Sequence, residues 1–102
     1  MISGQTELAI KIIVHVSKSG APREDGMGRP EASQRGIAAA VGCTQGAASK
    51  ILARLIAVEM VRSDRRRVTG MGRRVRVYSL TFSGYFLAKE ILESTYATNG
   101  HA

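Results

Sequence analysis

Seven arginines fall between positions 62 and 76: Arg62, Arg65, Arg66, Arg67, Arg73, Arg74 and Arg76, with Asp64 the single acid among them. That stretch carries +6 of the chain's formal +7. The planar guanidinium matches phosphate oxygens two at a time and enters narrow minor grooves, so a cluster of this density points to a polyanionic partner. Folding the two halves of the stretch onto each other brings Arg65, Arg66 and Arg67 near Arg73, Arg74 and Arg76. Like charges paired across strands destabilise an isolated ribbon, and bound phosphate relieves that repulsion. A solvated edge strand kept from aggregating by its charge is the plainer reading of the same residues.

A second group precedes it. With Ala48, Ile51, Leu52 and Leu55 on the inner face of a helix, the outer face presents Gln45, Gly46, Ser49, Lys50, Ala53 and Arg54. Gln45 has the donor and acceptor pair that adenine takes, Ser49 can bond several base edges or a phosphate, and Lys50 can reach guanine or backbone. Thr44 and Arg54, at either end, suit backbone phosphate. Gly46 and Ala53 add little bulk, so such a helix can approach a groove closely. The competing reading is an ordinary solvated helix face.

Little else in the chain offers chemistry. His15, His101 and Cys43 have no metal-ligand spacing, no Ser-His-acid or Cys-His arrangement can be assembled, and neither Gly-Met-Gly stretch has the Lys-Ser or Lys-Thr of a phosphate loop. Neither catalysis nor a metal or other cofactor is expected. All five aromatic residues, Tyr78, Phe82, Tyr85, Phe86 and Tyr96, lie outside the arginine cluster, which argues against base stacking on single strands. A lone cysteine cannot form an internal disulfide, so a cytoplasmic setting is the default. The apolar run at residues 8–16 is broken by Lys11 and His15 and is too short to span a membrane.

The elements that must hold these groups follow from periodicity and punctuation. A chain of 102 residues with 44% apolar and 23% charged residues has the make-up of one small domain over residues 1–102. Thr6 can cap a first helix to about Ser19, with Leu8, Ala9, Ile12, Ile13 and Val16 inward and Gly20 ending it. Residues 21–32 turn to Gly, Pro and mixed charge and read as an exposed, mobile loop. Ser33 caps a short helix through Val41, Gly42 makes a sharp turn, and a third helix runs from Thr44 or Gln45 to about Glu59. Strand formers over 61–67 and 73–80, separated by 68–72, predict a hairpin. Thr81 or Ser83 caps a last helix over 81–94, before a frayed polar tail at 95–102. On that helix Phe82, Tyr85, Phe86, Ala88 and Leu92 make one apolar side, expected to meet the core. Leu87 and Ile91 make the other, expected either to meet a second copy in a two-fold dimer or to crowd against the first helix.

Residues 33–61, two helices joined across Gly42-Cys43-Thr44, resemble a helix-turn-helix. With Met60-Val61-Arg62, the basic hairpin and then Val77-Tyr78-Ser79-Leu80-Thr81-Phe82-Ser83-Gly84, residues 33–88 resemble the winged helix-turn-helix of MarR-like and related archaeal and bacterial transcriptional regulators. The resemblance implies a mainly α fold with a small β-hairpin: a three-helix core, a β wing at 60–80 and a C-terminal helix. It also implies sequence-specific double-stranded DNA binding by a homodimer in a prokaryotic cytoplasm, nucleoid-associated. The third helix would then read the major groove while the wing grips backbone or minor groove. A small-molecule effector would have no separate sensor domain to occupy. A non-specific architectural or replication-associated module, and a winged helix that meets protein or structured RNA, remain as alternatives.

Overall fold

The computed structural model describes residues 4–21 and 24–99. Helix α1 spans Gly4–Ser19 and is followed by a short 3-10 turn at Pro30–Ala32, then α2 (Gln34–Val41) and α3 (Gln45–Ala57). Strands β1 (Val61–Arg67) and β2 (Arg74–Leu80) form an antiparallel hairpin, and α4 (Phe82–Asn99) ends the described chain. Helices plus a two-stranded wing make a winged helix-turn-helix, mainly α with a small β element.

The main core gathers Ile12, Ile13 and Val16 from α1, Ile37 and Ala38 from α2, Ala48, Ile51, Leu52 and Leu55 from α3, and Val61, Tyr78 and Leu80 from the base of the hairpin. Helix α1 forms despite its β-branched cluster because Ile12, Ile13 and Val16 share one buried face. It begins at Gly4, so Thr6 lies inside the helix and does not cap it. Ser33 caps α2, its hydroxyl accepting from the Gly36 N–H at 3.1 Å. Gly42, at φ 75°, ends α2 in the left-handed conformation that a side chain would resist, and its N–H returns to the Ala38 carbonyl at 3.0 Å.

Most of residues 24–32 are exposed, as expected of a loop, but the end of the segment is anchored to the wing. Gly28 N–H donates to the Arg67 carbonyl at 2.9 Å, and Ser33 bridges Val77. Ala32, Val68 and Val77 then close a second small core beside the wing. Backbone bonds and small residues hold this segment, and neither leaves a hydrophobic period in sequence.

The end of α3 also differs. Helix α3 stops at Ala57 and Glu59 adopts φ 62°. The Met60 N–H bonds the Leu55 carbonyl at 2.9 Å and the Glu59 N–H bonds the Ile56 carbonyl at 3.0 Å, a Schellman closure with a non-glycine residue in the left-handed position. Thr81 locks the junction from the other side: its hydroxyl donates to the Glu59 carbonyl at 2.6 Å and accepts from the Gly84 N–H at 3.1 Å, capping α4.

Helix α4 packs by a face other than the expected one. Gly84 and Ala88 are its buried positions, with Leu87 and Ile91 half-buried against the main core. A Cβ at Gly84 would sit 2.0 Å from the Met60 carbonyl oxygen, so only the small-residue stripe fits there. Phe82 (89% exposed) and Phe86 (60% exposed) consequently face outward. Leu87 and Ile91 are half-buried against the main core, with α4 packed on α1, which matches the crowding against the first helix expected as the alternative to a dimer contact. The helix also continues past Ser94, since no Gly or Pro occurs before Gly100; of the expected frayed tail, residues 100–102 lie outside the described residues.

Candidate nucleic-acid interface

Strand alternation sorts the arginines. The pairing register sets Arg65 opposite Arg76 and Arg67 opposite Arg74, on the same side of the ribbon as Val61, Tyr78 and Leu80. That side faces the helices, because Val61, Tyr78 and Leu80 enter the main core. Four guanidinium groups thus extend the core-facing side of the wing past the edge of the core. All four residues are exposed, and among the described residues none of their side chains has a hydrogen-bond or ionic partner. The same face carries no acidic residue within the strands.

Arg62 and Arg66 point the other way, with Asp64 between them. Arg66 is half-buried and committed: one terminal nitrogen donates to the Gly26 carbonyl at 2.8 Å and the other pairs with the Asp64 carboxylate at 3.0 Å. Arg73 precedes β2 at the tip. The cluster that looks continuous in sequence is two clusters on opposite faces, because side chains in a strand alternate.

Helix α3 stands with its polar face open. Gln45, Gly46, Ser49, Lys50, Ala53 and Arg54 are exposed while Ala48, Ile51, Leu52 and Leu55 are buried. Thr44 is the N-cap, its hydroxyl accepting from the Ala47 N–H at 3.1 Å. The helix N-terminus leaves partial positive charge there, which favours a phosphate. Nothing lies against an added Cβ at Gly46 closer than the Thr44 hydroxyl at 4.0 Å, so the glycine keeps this end slim without being sterically required.

An open cleft of about 570 Å³ joins the start of α2 and α3 to the wing; its polar lining includes Gln34, Arg35, Gln45, Arg73 and Arg76. The structure therefore brings Gln45 of α3 together with Arg73 and Arg76 of the wing. Gln34 and Arg35 were not singled out from sequence. Gln34 donates to the Gln45 carbonyl at 3.3 Å, steadying the first turn of α3. Their position in the first turn of a short capped helix, just before α3 with its open polar face, is the signal that could have found them.

His15 is occupied structurally, its Nε2 bonding the Glu31 carbonyl at 2.8 Å. Cys43 is a half-buried free thiol beside the turn. Among the described residues no group of three His, Cys, Asp or Glu is placed to hold a metal ion, and no helix is long and apolar enough to cross a membrane.

No protein-family model and no curated protein matches the chain. Solved structures do. A double mutant of ZitR from Lactococcus lactis, in apo form, superposes with a TM-score of 0.69 at 22% identity, covering 94% of this chain and 62% of that one. A protein of unknown function from Listeria innocua gives 0.68 at 18% identity, with 92% and 55% covered. A candidate DNA-binding protein from Ralstonia eutropha gives 0.62 at 19% identity, with 89% and 98% covered. The chain thus spans a little over half the length of the first two. At these identities the likeness concerns architecture, and the chain has the winged helix-turn-helix fold, resembling that of MarR-like regulators.

Proposed function

We propose that this chain binds double-stranded DNA as a prokaryotic transcriptional regulator, with α3 in the major groove and the core-facing side of the wing on backbone or minor groove. One observation carries the reading: Arg65, Arg67, Arg74 and Arg76 are paired across the strands on a single exposed face, beside the open polar face of α3. Holding four cations together in that way is unfavourable without a polyanion. Gln45, Ser49 and Lys50 read bases in this arrangement, while Thr44, Arg54 and the four paired arginines, with Arg73 at the tip, take phosphates. Arg66, tied to Gly26 and Asp64, takes no part. The likeness to a candidate DNA-binding protein and to ZitR supports the same use.

In this reading residues 1–102 act as one domain, in the cytoplasm and as a homodimer. The second copy meets the outward side of α4 through Phe82 and Phe86. Between residues 82 and 94 the charges are Lys89, Glu90 and Glu93, so this element escapes the strong positive charge of the wing and lets two copies approach. Two exposed rings one helical turn apart supply the apolar centre that a two-fold contact needs.

Binding-site selection from random duplex pools at fixed salt tests both parts. Enrichment of a palindrome with half-sites about one helical turn apart is expected. Unrelated winners overturn sequence reading, and preference for A-form RNA over B-form DNA at equal salt overturns the duplex assignment. Sedimentation checks the dimer: Phe82→Glu with Phe86→Glu should yield a folded monomer, and a wild-type monomer at all concentrations overturns the pairing.

A further inference from the structure

The face of the wing that carries Arg62, Asp64, Arg66 and Val77, with the base of β2, lines a cleft of about 400 Å³, closed by Gly20 and Ala21 after α1, by Gly28, Arg29 and Ala32, and by Tyr85 of α4. Two arginines enter it, each held by one nitrogen. Arg29 Nε donates to the Ala21 carbonyl at 3.1 Å, and Arg62 Nε donates to the Ser79 hydroxyl at 3.4 Å. Among the described residues the terminal nitrogens of both have no partner, which leaves two guanidinium forks fixed at the Nε and open at the tip. Arg66 and Asp64 complete the charged lining, but they are paired with each other at 3.0 Å. The other Asp64 oxygen accepts from the Arg65 N–H at 2.8 Å, so the one carboxylate here is already engaged. Ala32, Val77 and the ring of Tyr85 supply apolar wall.

We infer that this cleft binds a small organic phosphomonoester. Three arginines against one aspartate leave a lining of +2, and a phosphomonoester is close to dianionic at neutral pH. Two guanidinium groups with open terminal nitrogens line the one cleft, and each can offer a fork to phosphate oxygens where Lys would be a point charge. The volume lies in the range of small-ligand sites and far exceeds what a bare phosphate fills, so the organic part rests against Val77 and Tyr85. Such a ligand touches β1, β2, the segment after α1 and Tyr85 of α4 together. Binding at this cleft does not depend on the DNA reading, because it uses the opposite face of β1 from Arg65 and Arg67.

The probe is phenyl phosphate, titrated into the full chain at constant ionic strength and followed by calorimetry and amide NMR. Saturable one-to-one binding is expected, with the Gly28 and Ser79 amides shifting, while phenol fails to saturate and benzoate binds about tenfold more weakly. Arg29→Ala and Arg62→Ala should each weaken binding about tenfold, whereas Arg74→Ala, which removes the same charge from the other face, should change it by less than about twofold. Arg62→Lys keeps charge and stem, guards against a folding defect, and should lose about fivefold for want of the fork. The inference is overturned by an equal loss in Arg74→Ala, by wild-type affinity in Arg62→Lys, or by no saturation below about 10 mM. Equal affinity for inorganic phosphate overturns the organic part. Competition between phenyl phosphate and a DNA duplex for the same amides would reassign the cleft as a second backbone contact.

Discussion

The two faces of the wing are made from the same residue type a single position apart, and they do opposite work. On the core-facing side Arg65, Arg67, Arg74 and Arg76 stand exposed in facing pairs. On the other side Arg66 is spent on the Gly26 carbonyl and Asp64, helping to tie the segment around Gly26 to the hairpin. A guanidinium with a protein partner stabilises the fold modestly, whereas an unpartnered pair costs stability and gains its return from a ligand. Arginine density alone says nothing about which face a residue serves; parity along the strand decides it.

The largest effect expected from this division is on DNA. Replacing Arg65, Arg67, Arg74 and Arg76 together by Ala should lower the slope of log affinity against log salt by about 3 to 4 units, and should weaken binding about a thousandfold near 0.1 M salt. A salt titration with an unchanged slope would break the contrast at its root. Thermal stability should rise or hold in that variant, since like-charge pairs are removed. Next comes base reading. Gln45→Ala should cost about 1 to 3 kcal/mol on a selected site and far less on random duplex, measured by competition; equal losses would move Gln45 among the phosphate contacts.

Smaller is the effect on the other face. Arg66→Ala should leave the salt slope unchanged within about half a unit and lower stability by about 1 kcal/mol in denaturant melts, through loss of the bond to Gly26. A change of slope equal to one full phosphate contact would place Arg66 on the DNA after all. Smallest, and remote from both faces, Glu59→Gly should stabilise the chain by about 0.5 to 1 kcal/mol by relieving a side chain at φ 62°. Loss of stability there would show that the Glu59 side chain contributes more than its backbone costs.

Much of the frame was readable from sequence where local signals agreed. Ser33 as a cap, Gly42 at the turn, the inward set Ala48, Ile51, Leu52 and Leu55, and strands on either side of Gly70 all rest on capping, glycine conformation or periodicity. The candidate site was readable in composition and only half readable in geometry. Seven arginines announce a charged ribbon, but assigning each to a face requires the register, which the turn and core packing set together. The anchoring of residues 28–32 left no signal in sequence, because it is by a backbone hydrogen bond to β1 and by Ala32 in a small second core. On α4 Ala88 is buried as expected, but the larger members of the same apolar side are exposed, because the space at Met60 admits nothing larger than Gly84. In each case a long-range steric or backbone condition outweighed side-chain character.

The knot at Thr81, where one hydroxyl grips the Glu59 carbonyl and starts α4, joins the turn that ends α3 to the element that would carry the second copy. No slack linker intervenes between them. Two copies meeting through α4 would therefore behave as a caliper of fixed opening, intolerant of a base pair inserted between half-sites, and any agent that tilts α4 would reset that opening at the groove.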